Sequence, residues 1–234
     1  MRWPLIARRI HKWLALFVGV QVLLWTMTGL YMVSVPLGII HGDHLVRAPR
    51  EQPYPLAEIL DPAQLAARYP GVHALRLQRL IDRPVYVVET AAGVQLLDAR
   101  TGAVLPPPSE QAIRALARRW YTGTEPITEV TLLSKAPFEM QARTPPLWRV
   151  EFEGWGKPTL YFSPQTGELL GRRHELWRIF DFAWMLHIMD YDDRSDVNNP
   201  LLRVATWTAA AMAISGAWLL VWSFSGRKRA KARP

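Results

Sequence analysis

Two long apolar runs lie near the ends of the chain. Trp13 to Val35 is 23 residues without a charged side chain, and Val204 to Phe224 is 21. Each run can cross a hydrocarbon core of about 30 Å at about 1.5 Å per residue. The first run exceeds the length of about 7–15 residues expected for the apolar part of a signal peptide. We therefore predict two transmembrane helices, 13–35 and 204–224, the first an uncleaved anchor.

Between these runs, one pattern of short strands occurs twice. From Tyr86 to Leu105 the chain predicts strand, turn, strand, tight turn and short strand, and the same order returns from Trp148 to Leu170. Each copy has a Thr-Gly turn before its last short strand, and glycine supplies the positive φ of this tight connection. We interpret the two copies as repeats, about 54–105 and about 109–172.

Each repeat begins with a helical pattern. The first is predicted over 62–69, with Asp61 as N-cap and Pro62 in the first turn, and the second over 109–120, with Ser109 as cap. The strands before and after the turns pair antiparallel. The chain from 36 to 174 is therefore predicted to be an α+β domain made of two repeats, each a helix plus a small antiparallel sheet.

A third helix is predicted before the second apolar run. The segment 176–189 is apolar but too short to span a membrane, and its tryptophans favour an interfacial position. The acidic residues after it do not have the spacing of a calcium loop. We assign 175–203 to an interfacial amphipathic helix and an acidic loop that caps the next helix, which begins at Pro200.

The charge distribution predicts the topology. The chain has 28 Lys and Arg against 20 Asp and Glu, a net charge of +8. Residues 1–12 carry four cations and 225–234 carry five, both without an acid, so the other 212 residues have 19 cations and 20 anions. The basic tails adjoin the apolar runs, which favours cytoplasmic tails at 1–12 and 225–234 and an extracytoplasmic domain. The same distribution argues against nucleic acid as a partner.

These segments together resemble a known family. A helix followed by strands and the turn sequence D-x-x-T-G-x-V-L resembles the PepSY module. Its position between R-R-I-H-K-W-L-A-L-F-V-G and T-A-A-A-M-A-I-S-G-A-W-L-L-V-W resembles the PepSY-associated transmembrane proteins. The resemblance implies an inner-membrane protein of a Gram-negative-type cell with two periplasmic PepSY-like repeats. Some larger members of the group resemble haem-bearing reductases that act on ferric siderophores.

The chain has no cysteine, so the histidines are the candidate ligands for a metal or a haem. His11, His44 and His187 lie where the family has its motif histidines, which implies haem-binding residues. A b-type haem needs axial nitrogens, and a carboxylate that binds the other ring nitrogen holds the imidazole in place. Asp43 and Asp190 are the candidates for that supporting role.

The predicted topology decides which of these histidines could bind the same iron. His11 lies at the cytoplasmic end of the first span and His44 beyond its far end, so the two cannot share one iron. His44 and His187 lie on the same side, and we predict that they bind the haem iron together. His41, Asp43 and His44 are an alternative site for a divalent metal, since imidazole and carboxylate both suit such ions. His73 and His174 are predicted to be surface residues.

Small residues predict how the two spans pack. Ala15, Gly19, Val22, Thr26 and Gly29 form a stripe on the first span, and Ala209, Ala213 and Gly216 form one on the second. Such stripes allow helices to approach closely. We expect the two spans to contact each other along them, with Trp25 packed either between helices or beside a cofactor.

Two functions from different classes follow from the sequence. The first is electron transfer, or reduction of a ferric or other metal complex, through haem b, with a quinone or another protein as donor and His11 serving a second haem in a homodimer or complex. The alternative is an accessory or assembly subunit without redox chemistry, whose periplasmic domain docks a membrane or periplasmic partner protein. No phosphate loop, nucleophile elbow or H-E-x-x-H motif is present, so the sequence leaves open whether the chain is an enzyme.

Overall fold

The computed structural model describes residues 3–48, 53, 54, 56–69 and 71–230, with side chains described from Lys12 to Ala217 except that of Leu56. The chain divides into two compact units. Unit 1 comprises Met1–Pro36 and Ile179–Pro234, and unit 2 comprises Leu37–Arg178.

Unit 1 is helical. It contains α1 (Trp3–Ser34), α6 (Pro200–Ala230) and most of α5 (Glu175–Ile188). Among the residues that the structure describes, one helical stretch is long and apolar enough to cross a membrane, Lys12–Ser34 within α1. The predicted second span lies within α6, and its side chains beyond Ala217 are outside the described part.

The two long helices contact each other, as predicted, but α1 uses a different face. Gly19 and Thr26 of the predicted stripe are exposed, whereas Val18 and Thr28 are buried. Both sets follow the alternating i+3 and i+4 steps of a helix with about 3.6 residues per turn, but they lie on different faces, so small residues alone did not indicate the buried face. The choice of face for α1 was therefore wrong.

The helices expected over 176–189 and from Pro200 are present, while the interfacial position of the first stays a prediction. The segment predicted as a helix over 176–189 forms α5, and α6 begins at Pro200. Asn199 caps α6, because its side-chain oxygen accepts a hydrogen bond of 2.8 Å from the backbone N–H of Leu202. This bond satisfies one of the free donors in the first turn of the helix.

Unit 2 begins with the short helix α2 (Leu37–Ile40) and one turn of 3-10 helix, Asp43–Leu45, and two further 3-10 turns lie at Leu56–Glu58 and Phe138–Met140. Its other elements form two similar series. The first consists of α3 (Pro62–Arg68), β1 (Val72–Leu80), β2 (Arg83–Thr90), β3 (Gly93–Asp98) and β4 (Val104–Leu105). The second consists of α4 (Glu110–Trp120), β5 (Ile127–Leu133), β6 (Leu147–Phe152), β7 (Thr159–Phe162) and β8 (Leu169–Arg173).

The internal repeat is confirmed, with one strand more per copy than predicted. Each series, here called repeat one and repeat two, forms a four-stranded sheet, ordered β1-β2-β3-β4 and β5-β6-β7-β8. All pairings are antiparallel. The strands that were missed are β1 and β5, the edge strand that follows the helix in each copy.

Each helix covers one face of its own sheet. In repeat one, Leu65 of α3 packs with Tyr86, Val88 and Leu97. In repeat two, Ile113, Leu116 and Ala117 of α4 pack with a larger set, namely Val150, Phe152, Leu160 and Phe162. Removal of this apolar surface from water, worth about 25 cal/mol per Å², is the main stabilising term for both cores.

The predicted caps and turns are present in both repeats. Asp61 accepts a hydrogen bond of 2.8 Å from Ala63 N, and Ser109 accepts one of 3.3 Å from Ala112 N. Gly102 and Gly167 close the two Thr-Gly turns at φ +72° and +69°. Left-handed backbone is readily adopted by glycine, so local sequence defines these turns.

The two repeats meet at the turn of Gly167. A Cβ on this residue would lie 2.8 Å from Leu116 Cδ1 and 2.9 Å from Leu80 Cδ1. Nearby, Gln78 donates a hydrogen bond of 3.0 Å to the carbonyl of Thr166, and Arg119 donates one of 2.7 Å to that of Ile81. Glycine is thus required here both for its conformation and for the close approach of repeat one.

Candidate functional site at His187

The side chain of His187 lies against α1 within unit 1. Its Nδ1 is 2.8 Å from Thr28 Oγ1, and a Cβ on Gly29 would lie 3.6 Å from its Cε1. Thr28 is buried, and His187 is partly buried. Gly29 thus lies directly beside the imidazole ring, and a Cβ there would make an ordinary van der Waals contact with it.

The hydrogen bonds of Thr28 assign the protonation of this histidine. Thr28 Oγ1 lies 2.7 Å from the carbonyl oxygen of Leu24, which can only accept. The single hydroxyl proton is therefore used in that bond, so Thr28 must accept from His187 Nδ1–H. Nδ1 therefore carries a proton, and in the neutral form of the ring the lone pair is on Nε2. Within the described residues, Nε2 has no hydrogen-bond partner.

A second bond from α1 fixes the backbone of His187. The indole Nε1 of Trp25 donates a hydrogen bond of 2.8 Å to the carbonyl of His187. This carbonyl lies in the last turn of α5, where intrahelical donors are lacking. Met189, the next residue but one, has φ +54°, a left-handed conformation that terminates the helix. Trp25 therefore packs between helices, one of the two positions expected for it.

The polar residues of α1 share one face. Gln21, Trp25 and Thr28 are spaced i, i+4 and i+7, which places them on one side of the helix. Gln21 Nε2 is buried and has no hydrogen-bond partner among the described atoms. Polar side chains inside an apolar span usually face the protein interior. The spacing of these polar residues is the sequence signal for the face on which His187 lies, a face that the small residues did not indicate.

Asp190 is engaged in its own loop. Its Oδ2 accepts hydrogen bonds of 2.9 Å from the backbone N–H groups of Ser195 and Asp196. The amide of Asp196, together with those of Ser195 and Asp192, lowers the pKa of Asp190 below its usual value. The supporting partner of His187 in the structure is thus Thr28 rather than Asp190.

The same loop is held to α5 by three further contacts. Arg194 forms an ion pair with Asp181, and Trp184 Nε1 donates a hydrogen bond of 3.0 Å to the carbonyl of Arg194. Asn199 Nδ2 donates one of 2.8 Å to the carbonyl of Ile188. Together these bonds fix the loop that connects the candidate site to α6.

In unit 2, His44 is exposed and lies beside His174. Their ring centroids are 5.4 Å apart with an interplanar angle of 83°. His174 is only 4% exposed, so its prediction as a surface residue was wrong, while His73 is exposed as predicted. The Nε2 of His174 donates to the carbonyls of Ile39 and Ile40, at 2.9 and 3.1 Å. Burial lowers the pKa of His174, and these two carbonyls oppose that effect only in part.

Asp43 forms an ion pair with Arg172, whose Nε also donates a hydrogen bond of 2.9 Å to the carbonyl of His41. Within the described part of the chain, no three His, Cys, Asp or Glu side chains come together as a set that could hold a metal ion. The alternative metal site of His41, Asp43 and His44 therefore gains no support. A haem differs in needing only one or two axial donors from the protein.

The histidines predicted to bind haem are distributed over the two units. His187 belongs to unit 1 and His44 to unit 2, so their joint binding of one iron stays a prediction. His11 lies in the first part of α1, and its side chain is outside the described residues.

A buried polar cluster in unit 2 had no counterpart in the sequence analysis. Glu139 accepts hydrogen bonds of 2.6 Å from Tyr161 Oη and 2.7 Å from Arg178 Nε. Arg178 also donates to Thr159 Oγ1, at 3.2 Å. Burial, followed by the neighbouring Glu139, raises the pKa of Tyr161. These four residues, here called the Glu139 cluster, hold the beginning of α5 against the sheet of repeat two.

Comparison with known proteins leaves the family open. No family model, curated protein or solved structure matches this chain. The resemblance to PepSY proteins therefore stays a prediction.

Proposed function

We propose that this chain is a membrane-anchored electron-transfer protein that binds b-type haem with His187 as an axial ligand. The observation that carries the proposal is the hydrogen bond from His187 Nδ1 to Thr28, which leaves the Nε2 lone pair available. A neutral imidazole with its other nitrogen held by an oxygen acceptor is the usual form of a histidine ligand.

The surrounding residues suit that role. Donation of the Nδ1 proton to Thr28 makes the imidazole a stronger base and fixes the plane of its ring. The bond from Trp25 to the carbonyl of His187 holds the backbone that carries the ring. A bound haem supplies reversible one-electron chemistry at its iron. The chain's part is to orient the ligand and to keep the site in an apolar setting.

The membrane anchor is the second part of the proposal. Along α1, apolar side chains remain exposed, including Phe17 at 70% and Val33 at 88%. In α6, Trp207 is 75% exposed and Ile214 71%. Contiguous apolar surface of this kind is covered by lipid or by another protein. We propose two spans in the inner membrane, with both basic tails cytoplasmic and unit 2 periplasmic.

The second axial ligand is proposed from sequence alone. His44 is the candidate on the periplasmic side, and His11 the candidate for a second haem in a homodimer or a complex. A quinone or a partner protein would supply electrons, since two spans offer little room for a longer chain of cofactors. A ferric complex is the proposed acceptor.

The test is a reduced-minus-oxidised absorbance spectrum of the full chain, expressed with ample haem and purified in detergent. We expect the sharp α-band of a low-spin b-type haem, lost in His187→Ala. His44→Ala and His11→Ala identify the second ligand by loss of the same band. The control His73→Ala removes an exposed histidine of β1 and should leave the band unchanged. Thr28→Val should keep haem bound but shift its reduction potential, because Nδ1 loses its acceptor.

A wild-type chain without any α-band would refute the haem proposal. The accessory function would then become the leading one, with unit 2 as a module that docks a partner protein. A band that survives in His187→Ala would refute the assignment of this ligand while leaving haem binding in place.

A further inference from the structure

The two repeats differ in the connection between their two central strands. In repeat one, β2 and β3 are joined by the two residues Ala91 and Ala92. In repeat two, β6 and β7 are joined by six, Glu153 to Pro158, with Trp155 at the tip. Trp155 is 85% exposed, the largest exposed aromatic fraction among the described side chains of unit 2.

The backbone of this loop presents the tryptophan outward. Gly154 and Gly156 flank Trp155 with φ values of +112° and +84°. The carbonyl of Gly156 accepts a hydrogen bond of 2.8 Å from the backbone N–H of Glu175, and that of Lys157 accepts one of 3.4 Å from Arg178. The loop is thus anchored on the first turn of α5, and the side chain at its tip is exposed.

A basic cavity lies at the same turn of α5. It has a volume of about 430 Å³ and its lining includes His41, Arg143, Arg172, Arg173 and Trp177. Arg173 stacks on Trp177, with its guanidinium carbon 4.0 Å from the ring centroid. The cavity also includes Glu139, but its carboxylate is bound by Arg178 and Tyr161. Arg143 is exposed at the rim.

We propose that the Trp155 loop and this cavity form a contact surface for anionic phospholipid, with the indole in the interfacial layer and a lipid phosphate at the arginines. Tryptophan prefers this layer because its ring is apolar and its N–H is polar. Arginine binds phosphate oxygens through two parallel hydrogen bonds. Lys157, whose side chain is 80% exposed, adds a cation to the loop.

The chain itself favours lipid over a soluble partner. His41, in the wall of the cavity, follows the last residue of α1 by seven residues, and α1 contains the stretch that can cross a membrane. Such a short tether keeps a lipid surface at high effective concentration. Arg143 and Arg173 of the lining match the phosphate groups of that surface, whereas Arg172 is paired with Asp43. This inference is independent of haem, since none of its residues belongs to the His187 site.

The absence of cysteine allows a direct test. A nitroxide label is placed at Glu153→Cys, an exposed position two residues from Trp155, in the full chain in lipid nanodiscs. The matched control is Ala92→Cys, on the corresponding turn of repeat one. Accessibility to lipid-soluble oxygen and to a water-soluble nickel chelate is measured in discs with and without phosphatidylglycerol.

We expect the label at 153 to favour oxygen over nickel, more strongly with phosphatidylglycerol, and the label at 92 to favour nickel throughout. Trp155→Ser should abolish the preference at 153, and Arg143→Ser should reduce its dependence on phosphatidylglycerol. Equal accessibility at 153 and 92 would overturn the proposal. Protection from both reagents would also overturn it, because a protein would then cover the loop. Loss of the phosphatidylglycerol dependence on adding inorganic phosphate would show that the cavity takes free phosphate instead.

Discussion

The Glu139 cluster allows a quantitative test of the structure. Glu139 and Arg178 are the charged pair, with side chains 14% and 29% exposed. The guanidinium donates to the carboxylate at 2.7 and 3.2 Å, and Tyr161 adds a third bond at 2.6 Å. Truncating Glu139 therefore leaves a buried hydroxyl and a largely buried cation without their acceptor.

The expected cost follows from these contacts. Breaking a fully buried ion pair by removing one partner costs about 3–5 kcal/mol. Solvent reaches part of Arg178, which also bonds to Glu175 at 3.3 Å, so we expect Glu139→Ala to lower the free energy of unfolding by about 2–4 kcal/mol. In a double-mutant cycle with Arg178→Ala, the coupling energy should be about 1–3 kcal/mol.

The measurement is amide hydrogen exchange in β7 of the full chain in detergent, which gives the free energy of local opening. The matched control is the exposed pair Glu110 and Arg114 on α4, with side chains 56% and 45% exposed. Its coupling should be about 0.3–0.5 kcal/mol. A coupling between Glu139 and Arg178 no larger than that of the control pair would refute the stabilising role of the cluster.

Three further predictions concern other positions. Gly167→Ala should lower the free energy of unfolding by about 2–4 kcal/mol in urea titrations, because the left-handed backbone and the contacts with Leu116 and Leu80 both disfavour a Cβ. The control Gly71→Ala has the same kind of backbone with open space around it, and it should lower the free energy of unfolding by about 1 kcal/mol. Because the pKa of His174 is lowered, the native state binds fewer protons than the unfolded state as the pH decreases through the ordinary value of 6.5, so the free energy of unfolding should fall in that range. This fall should be smaller in His174→Gln, which cannot titrate. Asn199→Ala should cost about 1 kcal/mol and speed amide exchange at the beginning of α6, and unchanged exchange there would contradict the cap.

Local patterns in the sequence were sufficient for much of the fold. The caps at Asp61 and Ser109 and the turns at Gly102 and Gly167 depend on residues within three positions of each other, so α3, α4 and the turn between the last two strands of each sheet were predicted correctly. The edge strands β1 and β5 were missed, although Leu75 and Leu77 alternate towards the core of repeat one. The long polar residues between them obscured this alternation, since an edge strand is exposed on one side.

The candidate site depended on contacts between distant parts of the chain. The sequence marked His187 as a candidate ligand, but Thr28, its hydrogen-bond partner, is 159 residues away. Glu139 and Arg178 are 39 residues apart, and His174 reaches carbonyls 134 and 135 residues before it. By itself the sequence determined the apolar helices, the charge asymmetry and the two repeats, because these depend on periodicity and neighbouring residues. Tertiary structure alone decided the face of α1, the burial of His174 and the hydrogen bond between His187 and Thr28, because each depends on which distant side chain meets it.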